Sequence, residues 1–216
     1  MDKRLIYSAA IFMFAALGLS ACKKSSGDAA VDNTAFKNTI WTGEFNYTGK
    51  TAEPVSIDFS EGGQLLWHEL KGNRIGTWKL EGKKLSISLD NAPSFTGDVT
   101  SDNKLTNLQT SDGGGRTLKN AALDKAAIPD LANTVWAADN VSLKFKAGGK
   151  LDLFFGPPVG FPTYMDLNYT VSGRAIHFDA LADYNWFAVI NGGASLKGTN
   201  HAPNDPTVYV FTVVKQ

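Results

Sequence analysis

The chain has one cysteine, Cys22, so no disulfide forms within it and whatever folds is held together by burial alone. Histidine is nearly as scarce. His68, His177 and His201 are the only three, and none stands at zinc or copper spacing from another ligand type, so no metal site is expected. His68 alternates with Trp67 across an expected strand, His177 takes an outward position between Ile176 and Phe178, and His201 falls in a loop. Structural or solvated roles follow for all three. No Gly-x-Ser-x-Gly elbow presents a nucleophilic serine. The run Ser111-Asp112-Gly113-Gly114-Gly115-Arg116 lacks the lysine and the following helix of a phosphate loop, and reads as a hairpin. No motif calls for a cofactor. An excess of either charge is also missing, with 21 Lys+Arg against 21 Asp+Glu. Such a body has no electrostatic footprint for nucleic acid. Helical periodicity is absent apart from Ala121–Ile128, where one helical turn is expected before Pro129 ends it.

One long apolar run does exist. Leu5 to Leu19 is apolar apart from Tyr7, Ser8 and Gly18, follows the charged start Asp2-Lys3-Arg4, and leads to small residues. Residues 1–21 therefore read as an export signal. Leu19-Ser20-Ala21-Cys22 resembles the lipobox of bacterial lipoproteins. That resemblance implies diacylglycerol in thioether linkage on Cys22, cleavage before it, and acylation of the new amine. A transmembrane anchor is the competing reading, but the run is short of the roughly 20 residues a span needs. Residues 22–36 form the expected lipidated tether, flexible by composition. The 14 residues from Lys23 to Phe36 reach at most roughly 45–50 Å.

The remainder is a repeat. Asn38-Thr39-Ile40-Trp41 returns as Asn133-Thr134-Val135-Trp136. Val55, Ile57, Phe59, Gly62, Gly63 and Leu65 return as Val141, Leu143, Phe145, Gly148, Gly149 and Leu151, at a constant offset of 86. Trp78, Leu80 and Gly82 are echoed by Tyr169, Val171 and Gly173. Apolar residues alternating with Ser56 and Asp58, or with Ser142 and Lys144, mark strands with one buried face, and the paired glycines supply positive φ for tight turns. Further strands are expected at Phe95–Val99, Leu105–Thr110, Arg116–Ala121, Met165–Val171, Phe187–Ile190, Ser195–Thr199 and Val208–Val214. The expected fold is all-β: two tandem antiparallel meander barrels of about seven or eight short strands each. Residues 37–122 make the first, 123–132 a linker, and 133–216 the second. Trp41, Phe59, Trp78, Leu85 and Ile87 fill the first barrel, and Phe145, Phe155, Tyr169 and Phe178 the second. Aromatics of this bulk predict filled interiors, leaving any ligand to a barrel mouth or the joint between units.

The Asn-Thr-hydrophobic-Trp opening, the Phe-x-x-Gly-Gly turn and Gly76-Thr77-Trp78 are similar to the small lipocalin-like domains of Bacteroidota lipoproteins. The second unit departs from that pattern at Asn168-Tyr169. The resemblance implies a fold more than an activity.

Two aromatic loops stand out. Phe154 to Tyr164 carries Pro157, Pro158 and Pro162, which stiffen it, with Phe161 and Tyr164 on offer. Asp183-Tyr184-Asn185-Trp186-Phe187 is the other. Phe161, Tyr164, Tyr184 and Trp186 are the candidate ligand-binding residues; either they form a binding surface, or they cap a barrel end or fill the joint. The function expected is that of an outer-membrane binding lipoprotein of a Gram-negative bacterium, with a protein, a glycan or a small apolar molecule as partner. Lys23-Lys24-Ser25-Ser26 lacks an acidic cluster, which points to the periplasmic face. The rivals are a structural spacer and a glycan-directed hydrolase using two of Glu61, Glu69, Asp166, Asp179 and Asp183.

Overall fold

The computed structural model describes residues 36–46, 50–111, 115–180, 184–201 and 208–216. The expected signal, the tether up to residue 35 and Cys22 lie outside them. Eight strands make the first unit: β1 (Thr39–Asn46), β2 (Glu53–Phe59), β3 (Gln64–Glu69), β4 (Gly72–Glu81), β5 (Lys84–Leu89), β6 (Phe95–Val99), β7 (Lys104–Thr110) and β8 (Thr117–Leu123). Eight more make the second: β9 (Val135–Ala137), β10 (Ser142–Lys146), β11 (Lys150–Phe154), β12 (Tyr164–Ser172), β13 (Ala175–Asp179), β14 (Asn185–Asn191), β15 (Ser195–His201) and β16 (Val208–Lys215). Within each unit every strand pairs with its successor, and the unit then closes on itself, β8 onto β1 and β16 onto β9. Two closed eight-stranded antiparallel barrels in tandem fit a lipocalin-like fold. Among the described residues, all sixteen strands lie between Thr39 and Lys215.

Alternation builds the interiors. Leu85, Ile87 and Leu89 are buried along β5 while Lys84, Ser86 and Ser88 are exposed. One end of each barrel is plugged by the repeated opening motif. Asn38 and Asn133 take left-handed backbone (φ 56° and 60°), which asparagine tolerates better than most residues. The Thr39 hydroxyl donates to the Phe36 carbonyl at 2.7 Å and accepts from the Trp41 indole at 3.0 Å. Thr134 does the same for the Leu131 carbonyl and Trp136, at 2.5 and 2.9 Å. Both tryptophans are fully buried. In the first barrel Phe36, Phe59 and Trp78 crowd around Trp41, with ring centroids 4.6 to 6.2 Å apart. Both interiors are filled with side chains, as expected.

Two expectations need correcting. Ala121–Ile128 contains no helical turn, because β8 continues to Leu123. Ala121 is buried against Gly43 of β1, where an added Cβ would lie 2.9 Å from the Ala121 Cα. Pairing with β1 overrides the helix-forming composition. Phe155 is not interior either. It is 59% exposed, because β11 ends at Phe154 and the alternation ends with it.

The barrels pack side by side. Leu70 of the first is buried with Ala175, Phe187 and Val189 of the second. His68 is fully buried in this joint, its Nδ1 2.8 Å from Asn73 Oδ1 and its Nε2 3.4 Å from an Asp58 carboxylate oxygen. His177 points away from its own barrel as expected, yet it is half-buried here and not solvated, its ring 4.7 Å from that of Phe187. Glu44 and Lys197 form an ion pair across the same joint.

Candidate ligand site at the mouth of the second barrel

Opposite each plugged end lies a mouth, and the two mouths differ in chemistry. At the second, Trp186 opens β14 and shares its inward side with the buried Ala188 and Ile190, while Phe187 and Val189 face the first barrel. On β15 the inward row Leu196, Gly198 and Asn200 ends at the same level. Register then sets four residues in line across four strands: Phe178 opposite Trp186, Trp186 opposite Asn200, and Asn200 opposite Tyr209. Trp186 stacks on Phe178 at 5.5 Å and 19°, has Phe155 at 6.1 Å and 30°, and meets Phe211 at 5.5 Å. Gly198 makes room for this cluster, because the Phe211 ring lies where a Cβ would stand.

Above the cluster is a cavity of about 310 Å³. Val141, Phe155, Tyr184, Trp186, Tyr209 and Phe211 supply its walls, with Asn140 and Asn200 as the polar members. None of the described lining side chains is charged at neutral pH. Apolar walls with a few polar groups are the usual make-up of small-molecule sites, and the volume sits at the lower end of their range.

Tyr184 and Trp186 both line this cavity. Tyr164 joins them indirectly: it is half-buried, and its ring stands perpendicular to Phe155 at 6.2 Å. Phe161 is 96% exposed and takes no part in the wall. Asn200, Tyr209 and Phe211 escaped the sequence reading, although alternation along β15 and β16 carried the signal.

At the first mouth a cavity of about 160 Å³ is lined by Phe45, Trp67 and Phe95 together with Glu69, Lys71, Arg74 and Arg116. Buried Glu69 accepts from the Trp67 indole at 3.2 Å and from Arg74 Nε at 2.9 Å. Glu53, 7% exposed, precedes Val55, Ile57 and Phe59 on the inward side of β2. Burial first, and the Glu69 carboxylate second, push its pKa up to about 6, with Lys71 opposing them. The other carboxylates are scattered. Glu61 is exposed opposite Lys37, Asp166 shares Lys146 with Asp152, and Asp179 is exposed, while Asp183 lies outside the described residues. Among the described residues no group of His, Cys, Asp and Glu is disposed to hold a metal ion.

Comparison with protein-family models, with curated proteins and with solved structures finds no match to this chain.

Proposed function

We propose that the chain is a lipid-anchored binding protein of the bacterial envelope, using the second barrel's mouth to hold a small, uncharged, mainly apolar ligand. The observation that carries this reading is the cavity of about 310 Å³, walled by aromatic rings and with no charged side chain among its described lining residues. A hydrophobic cavity whose described lining holds no carboxylate pair or charge-stabilising cation suits retention better than reaction. The anchor belongs to the same proposal: the lipobox-like Leu19-Ser20-Ala21-Cys22, with acyl chains on Cys22, holds the protein at the outer membrane, on its periplasmic face. The Bacteroidota lipoprotein likeness of the motifs fits this setting.

The neutral fluorophore N-phenyl-1-naphthylamine tests the site. It should bind the chain lacking residues 1–22, and Phe155→Ala with Tyr209→Ala should weaken binding about tenfold or more while the strand signal in circular dichroism persists. Phe161→Ala should change little. Unaltered binding in the double variant removes the mouth from consideration. Incorporation of labelled palmitate, lost in Cys22→Ala, tests the anchor.

A second reading is favoured by Glu53 and Glu69 at the first mouth, two carboxylates whose surroundings differ. A raised acid beside an ion-paired carboxylate is the pattern of general acid–base hydrolysis. Release of 4-nitrophenol from 4-nitrophenyl glycosides, abolished by Glu53→Gln, is its expected outcome. No release by the unsubstituted chain ends it.

A further inference from the structure

One indole in this fold lacks what the other four have. Trp41 and Trp136 donate to threonine hydroxyls, Trp67 to the Glu69 carboxylate, and Trp78 to the Ser60 carbonyl at 3.2 Å. Trp186 is 3% exposed, and its Nε1 is sealed from solvent with no acceptor among the described residues. A buried indole N–H ordinarily finds a partner, and leaving it without one is costly.

Directly across the ladder stands the complementary defect. Asn200 Oδ1 is likewise sealed and receives no hydrogen bond from the described residues. Trp186 and Asn200 are opposed on β14 and β15, both line the cavity, and they are not bonded to each other. Side chains opposed in this way have Cβ atoms about 4.5–5.5 Å apart. One planar group offering an acceptor beside a donor spans that separation.

The first mouth serves as an internal control. There Trp67 is satisfied by Glu69 of its own barrel, whereas no acidic residue stands among the described lining residues of the second mouth. A charged head group would meet no counter-charge among the described lining residues, and losing its hydration there would be costly.

We infer that the second mouth is built for an uncharged ligand with a flat apolar body and a carboxamide-type head, whose carbonyl accepts from Trp186 and whose N–H donates to Asn200. This rests on the mouth being a ligand site at all. Phe155, 59% exposed and 6.1 Å from the Trp186 ring, is the side chain that must swing outward to admit the head.

Three probes share one aromatic body and differ only in the head: naphthalene, 2-naphthamide and 2-naphthoate. Each is titrated into the nitrogen-15-labelled chain lacking residues 1–22, and the five indole N–H resonances are followed. Trp186→Phe identifies the relevant signal; should that variant not fold, nuclear Overhauser contacts to Phe178 identify it. The amide should shift this resonance and bind about tenfold tighter than naphthalene, with naphthoate weakest. In Asn200→Leu the amide and the hydrocarbon should bind alike. Equal affinity of the two in the unsubstituted chain, or naphthoate binding as tightly as the amide, overturns the carboxamide assignment and leaves the apolar mouth standing. If no probe shifts the Trp186 signal, the mouth is not a ligand site and both readings fall.

Discussion

Arg174 Nη2 stands 3.0 Å from Asp124 Oδ1, tying the β12–β13 turn of the second barrel to the chain that joins the barrels. The guanidinium is almost wholly buried, and it also donates to the carbonyls of Ile190 and Ala126. Asp124 in turn accepts the Gly192 backbone N–H at 2.8 Å. The fork of one arginine thus pins the inter-barrel chain to the second barrel.

Arg174→Met should therefore destabilise the protein by about 3–5 kcal/mol, since it takes the counter-charge from a partly buried carboxylate and the donor from the carbonyls of Asp124, Ala126 and Ile190. Arg174→Lys keeps the charge but loses the fork, and should recover only part of that. Urea unfolding measures both; a methionine variant within about 1 kcal/mol of the parent would contradict the staple.

The two plug motifs predict equal and separate losses. Thr39→Val or Thr134→Val leaves a buried indole N–H without its acceptor, at about 1–3 kcal/mol each. The two sites are in different barrels, so the double variant should show the sum, while serine at either position should retain most of the stability. A double variant no worse than a single one would mean that the plugs act together.

Stability should fall as pH rises through the range of Glu53. Its pKa is raised from 4.5 to about 6, so the folded state holds the proton more tightly than the unfolded chain. No penalty exists below pH 4.5, and the whole penalty is present above about pH 6. Its upper bound is about 2 kcal/mol, less whatever solvent at the mouth screens. Glu53→Gln should stabilise at pH 7.5 and do nothing at pH 4; equal gains at both would refute the burial cause.

His177 works in the opposite direction. Burial, then the neighbouring His68, lowers its pKa from 6.5, against a smaller pull from Asp179. Its contribution to stability is complete above pH 6.5 and is lost as pH falls from there towards the lowered value. His177→Gln should flatten that loss, read as the pH dependence of the unfolding midpoint between pH 7.5 and 5.

Gly198→Ala tests the shape of the second mouth. The new methyl displaces the Phe211 ring towards the cavity, at about 1–3 kcal/mol for overpacking. Binding of the neutral fluorophore should suffer more than stability does. An unchanged affinity would mean that Phe211 has other room to move.

The architecture was legible because Val55, Ile57 and Phe59, repeated as Val141, Leu143 and Phe145, state both the period and the duplication. The same rule, extended backwards two residues, would have found Glu53, and extended forwards along β15 it would have found Asn200. Phe155 misled because alternation says nothing about where a strand stops. His177 does face outward from its own barrel, in a structural role; that the other barrel packs against it is something no local pattern carries. The stiff loop points to Phe161 as an outward ring, and it is 96% exposed; composition alone does not say whether such a ring also lines a wall.

Both sheets return to their own first strand. A sheet with no margin offers no row of idle amides and carbonyls for a stranger's backbone to extend. Copies crowded together therefore have only side chains through which to meet. Self-association by strand pairing would have to begin with the opening of a seam, and β9, three residues long, is the thinnest stitch.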